Sequence, residues 1–222
     1  MLSAVPLSRG SKRLLASHGA NRVTKKMLPL AFKHHYRYFS TKDMQDEYGK
    51  MTSEGETYVK KDFQLENGIQ LPEAQLRYQT YGDLNEERDN VIVVCHALTG
   101  NASLHSWWGG LLGRNKAFDI EKYLIVCCNI LGSCYGSTNP RSIDPTTGSI
   151  YGKNFPDISV KDTVKLQLHL LKEELGISSV KAAIGGSFGG MQAMEFAVQA
   201  GSKNADFLSE NGKKISCANH EV

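Results

Sequence analysis

No aspartate or glutamate occurs in the first 42 residues, although that segment holds nine of the 26 lysines and arginines. The rest of the chain is left with 17 bases against 23 acids. An acidic body gives nucleic acid no electrostatic foothold, which argues against a DNA- or RNA-binding protein. Long hydrophobic runs are missing as well, so no stretch suits a membrane-spanning helix. The five cysteines (Cys95, Cys127, Cys128, Cys134 and Cys217) are odd in number, and none stands in a C-x-x-C spacing. That argues against a zinc ribbon and against a closed disulfide framework. They read as reduced thiols, three of them inside apolar runs and so buried. Cys134 lies in a glycine-rich loop, and with no base assigned to it, it reads as a packing residue rather than a nucleophile. Internal repeats are absent too. The remaining composition, 41% hydrophobic and 22% charged over 222 residues, is that of one globular domain with a sizeable core.

The acid-free segment is basic and hydroxyl-bearing, with Leu14, Leu15, Met27, Leu28, Leu30 and Phe32 between its charges. That is the composition of an organelle transit peptide. Arg37-Tyr38-Phe39-Ser40 reads as a matrix-processing site cut after Phe39. Residues 1–42 are therefore expected to direct import into the mitochondrial matrix. The alternative is a basic tail or membrane-surface helix on a cytoplasmic protein. Residues 43–56 read as a linker.

From residue 57 the pattern is structural. Thr57–Leu65 alternates as a strand, Glu66-Asn67-Gly68 supplies an Asn-Gly turn, and Ile69–Tyr81 returns. Pro72 places an edge or an irregularity at the start of the returning arm. Val91–Cys95 and Tyr123–Cys128 are continuous apolar runs, as expected of strands buried on both faces of a parallel sheet. A loop rich in Gly, Ser, Thr, Pro and Asn fills 130–156, and its length suggests function. Ser159 is a plausible N-cap for a helix reaching Leu175, with Val160, Val164, Leu168 and Leu171 as its apolar stripe and Gly176 beyond its end. His169, one step off that stripe, reads as structural or exposed.

Ser178–Ile184 then forms a strand, read as buried, and Phe188–Ala200 a helix. Between them stands Gly185-Gly186-Ser187-Phe188-Gly189. A serine on a sharp strand-to-helix turn needs glycine two residues before and two after it. The pattern alone is of low specificity, but its strand–turn–helix setting is the one a nucleophile elbow requires. Ser187 is the candidate nucleophile. The Phe188 N–H is one oxyanion donor, and the loop His96–Gly100 supplies the other, placed at the Leu98 N–H with Ala97 or Thr99 as alternatives. His96 opens that loop and reads as a loop-shaping histidine rather than the base. The order hairpin, strand, strand, helix, strand, elbow, helix is an α/β class, the plan of the α/β-hydrolase fold: a mostly parallel sheet behind an antiparallel hairpin. Residues 57–200 carry it. Residues 201–222 read as an irregular tail, with a small hairpin around Asn211-Gly212.

The chain resembles the homoserine O-acetyltransferase family, which includes serine O-acyltransferase relatives. The shared stretches are His96–Gly100, Trp107-Trp108-Gly109, Asn129 with Leu131–Thr138, Ile143–Gly148, Tyr151-Gly152, Phe155-Pro156, Val160-Lys161-Asp162 and Gly185-Gly186-Ser187 with Gly189-Gly190-Met191-Gln192. They keep the family's order over about residues 57–200. Phe188 departs from the methionine usual in the family. The resemblance implies an acyl-serine at Ser187, acetyl-CoA as co-substrate with no bound cofactor, and homoserine as acceptor, with serine as the alternative. It implies small-molecule substrates and leaves open a homodimer for a full-length protein.

The family's triad Asp and His and its last strands fall beyond Val222; Asp206 and His220 follow the elbow helix too closely to be them. The expectation is a truncated chain, inactive alone, whose elbow strand has an unpaired far edge. A serine hydrolase, or a non-catalytic remnant binding a paralogue, are the competing readings.

Overall fold

The structure, a computed structural model, describes residues 54–201 and the pair 216–217, with side chains described for 54–199. The expected import segment 1–42 lies outside these residues, as does most of the linker and of the tail.

A six-stranded mixed sheet runs in the order β1-β2-β4-β3-β5-β6. β1 (Glu56–Gln64) and β2 (Gln70–Tyr81) form the expected hairpin, beginning one residue inside the expected linker. Asp62 sits opposite Pro72 with φ 53, a local break in the ladder where Pro72 has no N–H to give. β2 then joins β4 antiparallel through Tyr78–Tyr81 alone, so Pro72 lies on a stretch of β2 that β4 does not reach. β3 (Val91–Cys95) lies between β4 (Leu124–Cys128) and β5 (Ser179–Gly185), parallel to both.

Every residue of β3 and β4 is buried. The two-residue period explains how. Val91, Val93, Cys95, Leu124, Val126 and Cys128 face one core, shared with the long helix and Phe196. Ile92, Val94, Ile125 and Cys127 face the other, under Leu104, Phe118 and the tryptophans. That second layer contains a helix the sequence reading lacks: α1 (Leu104–Trp108), continued by a 3₁₀ turn at Gly109–Leu111. A five-residue helix shows too little periodicity to announce itself. Tertiary packing holds it, with Trp108 stacked on Phe118 at 6.0 Å.

α2 (Val160–His169) starts at a full capping box. Ser159 Oγ accepts from Asp162 N–H at 3.1 Å, and Asp162 Oδ2 accepts from Ser159 N–H at 3.0 Å. The other Asp162 oxygen takes the Glu66 N–H at 2.8 Å, tying the hairpin turn to the helix start. The expected helix to Leu175 ends instead in one π-type turn, Leu170–Glu174. Gly176 then turns the chain at φ 60, and Arg88 donates to the last carbonyls, Leu175 and Gly176. His169 is structural: buried, with Nδ1 2.7 Å from Glu173.

Two expectations need correction. The elbow strand β5 is not buried throughout; Val180 is, but Ile184 is 38% exposed. Its far edge is not wholly unpaired either. β6 (Ser216–Cys217) runs parallel to Ser179–Val180, so Ser216 belongs to a parallel strand rather than to the small hairpin expected around Asn211-Gly212. Residues 206–215 lie outside the described ones. Beyond Val180 no described residue pairs with that edge, which explains the exposure.

Candidate active site

Ser187 stands between β5 and α3 (Phe188–Gly201) with φ 56, a left-handed conformation that a side chain with Cβ disfavours. Neighbouring backbone enforces it. A Cβ on Gly189 would clash with the Cys95 carbonyl oxygen, 2.8 Å from its carbon and 3.0 Å from the His96 oxygen. A Cβ on Gly185 would meet Gly189 backbone and stand 2.7 Å from the Cys95 oxygen. Gly186, by contrast, has nothing within 4 Å. The requirement for glycine on either side of the serine is thus one steric fact: helix α3 crosses the end of β3 at backbone contact.

The turn leaves Ser187 exposed, at the C-terminal end of the sheet. Its carbonyl accepts from Gly190 at 2.9 Å and Met191 at 3.3 Å, closing the first turn of α3. The Phe188 N–H has no partner among the described residues, as expected at a helix start. Across from it, β3 ends at His96, and a Gly100 N–H to Ala97 carbonyl bond of 2.8 Å rounds off the loop. The N–H of Leu98 is likewise unbonded among the described residues, and its side chain is 65% exposed.

His96 is 1% exposed, and its Nδ1 lies 2.7 Å from the Ala97 carbonyl. A carbonyl only accepts, so Nδ1 carries the proton. Burial holds the imidazole pKa below its ordinary value, so the ring is neutral. Its Nε2 is buried with no partner among the described residues. A ring turned onto its own loop shapes that loop. No described histidine or carboxylate hydrogen-bonds the Ser187 hydroxyl. Cys95, Cys127 and Cys128 are free and buried, and burial pushes the Cys95 thiol up to about 12, far from thiolate chemistry at neutral pH. Cys134 is free and exposed.

The 130–156 loop is pinned along β2. Thr138 N–H donates to Gln75 O at 3.0 Å, Gln75 N–H to Thr138 Oγ1 at 2.8 Å, and Arg77 N–H to Ser137 Oγ at 3.1 Å. Asn129 and Gln192 stand within the motif stretches without a role that the sequence alone assigns, and Gln167 stands outside them. All three are amides 1% exposed or less. A polar amide directly after a continuous apolar strand, or flanked by apolar residues within a helix, was the available signal.

The family model described as alpha/beta hydrolase fold matches residues 90–208. A homoserine O-acetyltransferase of Chlorobium luteolum is 52% identical over 134 residues, 60% of this chain and 37% of that protein. The crystal structure of homoserine O-acetyltransferase from Bacillus anthracis is 35% identical with a TM-score of 0.58, over 64% of this chain and 42% of that one. Esterase E22 is 30% identical with a TM-score of 0.60, over 66% and 44%. The chain thus spans well under half the length of the relatives it matches. With its strand order, its elbow and these matches together, the chain belongs to the alpha/beta hydrolase fold family, and over the matched part it is similar to homoserine O-acetyltransferases.

Proposed function

We propose that Ser187 carries an acetyl group from acetyl-CoA to the side-chain hydroxyl of homoserine. The observation that carries this reading is the elbow itself. An exposed serine is held at φ 56 by backbone contact, with the Phe188 N–H next to it in the chain and the loop that follows β3 leaving the same end of the sheet. Ser187 Oγ would add to the thioester carbon while its proton passes to a base. The negative oxygen formed would be met by the Phe188 and Leu98 N–H groups. Collapse expels the CoA sulfur, which takes the proton, and leaves an acyl-serine. The homoserine hydroxyl repeats the addition and frees Ser187.

The described residues supply the nucleophile and the donors, whereas the base comes from outside them. We therefore expect the 222-residue chain alone to be silent. CoA release should appear when the unmatched portion of the Chlorobium luteolum relative is supplied in trans. Release that requires homoserine and is lost in Ser187→Ala supports the proposal, and release retained in Ser187→Ala defeats it. The likeness to esterase E22 favours a second reading, hydrolysis, and CoA release without any amino acid would select it. Serine replacing homoserine in the same assay settles the acceptor. The basic segment 1–42 leads us to propose the mitochondrial matrix as the place of action.

A further inference from the structure

The loop that carries Leu98 is gripped at both ends by one buried chain of amides. At its far end, Asn129 Oδ1 accepts from the Ala102 N–H at 2.6 Å. The Asn129 carbonyl accepts from Gln167 Nε2 at 3.4 Å, and the same nitrogen donates to Gln192 Oε1 at 3.0 Å. Gln192 Nε2 closes the chain on the His96 carbonyl at 3.4 Å, the near end of the loop. Gln192 belongs to the elbow helix, so the links run from the helix that directly follows Ser187 to both ends of the donor loop. Asn129 has a second hold. Its Nδ2 donates to the Tyr135 carbonyl in the 130–156 loop, where Tyr135 stands at φ 69.

Filling buried space would be served as well by leucine or methionine, without desolvating three amides that are 1% exposed or less. Buried amides earn their place through direction: each fixes a partner's position to within a hydrogen-bond length. We propose that Asn129, Gln167 and Gln192 are positioning residues that set the Leu98 N–H relative to Ser187, with Asn129 also coupling that loop to residues 131–138. The functional side of this rests on the acyl-transfer reading of Ser187; the structural side does not.

The test is amide hydrogen exchange by mass spectrometry on the full chain. Peptides over 91–95, 97–103 and 131–138 are followed, with Val126→Ala as a control that weakens the same strand. Asn129→Ala should raise exchange roughly tenfold in both loops, the effect of one lost buried bond, while 91–95 follows the control. Gln192→Leu should free 97–103 and leave 131–138 protected. Asn129→Asp should free 131–138 at neutral pH. Acid should restore its protection factor, because the protonated carboxyl again donates to the Tyr135 carbonyl. A uniform rise matching Val126→Ala overturns the proposal, as does unchanged exchange at 97–103 in both Asn129→Ala and Gln192→Leu. In the trans-complemented assay, these variants should lower kcat with KM little changed, since the donor acts on the transition state. If no acyl transfer is seen at all, the reading of Ser187 falls while the exchange result still decides the positioning role.

Discussion

The two flanks of the sheet are built on opposite terms. On the hairpin side, Phe63, Leu71 and Leu76 are 1% exposed or less, and polar groups are matched in detail. Glu173 accepts from Tyr58, Lys60 and the neighbouring His169, and Asp162 serves both its helix and the hairpin turn. On the elbow side, Met191, Met194 and Val198 of α3 are 54–66% exposed, and Ser187 sits in a disfavoured backbone region. The hairpin flank holds stability. The elbow flank spends some of it to present one hydroxyl.

The contrast breaks most sharply at Gly189. Gly189→Ala must displace the end of β3 or the elbow helix, because its methyl clashes with backbone that cannot rotate away. A loss of about 3 kcal/mol or more is expected in urea unfolding. Gly186→Ala, three residues away in open space, should change stability by less than about 1 kcal/mol. Equal losses at the two glycines would show that the elbow does not rest on the β3 contact.

Next in size is Phe63→Ala, expected to cost about 3–4 kcal/mol, since it empties a fully buried site and strips Lys165 and His169 of the ring they pack on. Met194→Ala, equally apolar but 66% exposed, should cost under about 0.5 kcal/mol. A large Met194 effect would mean that this helix face is covered in solution.

Acid should act through the hairpin flank. Burial pushes the Glu173 carboxyl up, but hydrogen bonds from Lys60, Tyr58 and His169 outweigh it and hold the pKa to about 2. Burial lowers His169 to about 4, despite Glu173 beside it and with Lys60 and Lys165 opposing its charge. The His169–Glu173 contact is therefore a neutral imidazole on a carboxylate at neutral pH. Both folded pKa values lie below the unfolded ones, so the unfolded state binds more protons as pH falls. Stability from His169 should decline from about pH 6.5 towards 4, and that from Glu173 from about 4.5 towards 2. The urea midpoint should fall through both windows, and His169→Phe should make the upper fall shallower, leaving the part that comes from the buried His96. A flat midpoint above pH 4.5 in the parent chain would contradict this assignment.

A small gain at the elbow is the most telling of function. Ser187→Gly relieves the positive φ and should stabilise the chain by about 1 kcal/mol while removing the proposed nucleophile. A stability loss there would mean that the serine side chain holds the turn rather than being held by it.

Much of this was legible beforehand because it is local. Alternation marked the hairpin, unbroken apolar runs marked β3 and β4, Ser159 with Asp162 marked a helix start, and Gly185 with Gly189 marked a serine turn. Other features were not. α1 is too short for a period, and the π-type turn at Leu170–Glu174 arises where Glu173 is drawn to β1 by Tyr58 and Lys60.

The sequence by itself determined the order of elements, the elbow and its glycines, because strand and helix periods and backbone sterics act over a few residues. Tertiary structure alone decided why Gly189 is needed, since the atoms its Cβ would strike belong to Cys95 and His96, far away in the chain; Gly185 is crowded by Cys95 as well as by nearby Gly189. It also decided which amides meet beneath the site: Asn129, Gln167 and Gln192 come from β4's end, α2 and α3, and no spacing along a chain encodes a contact made across three elements.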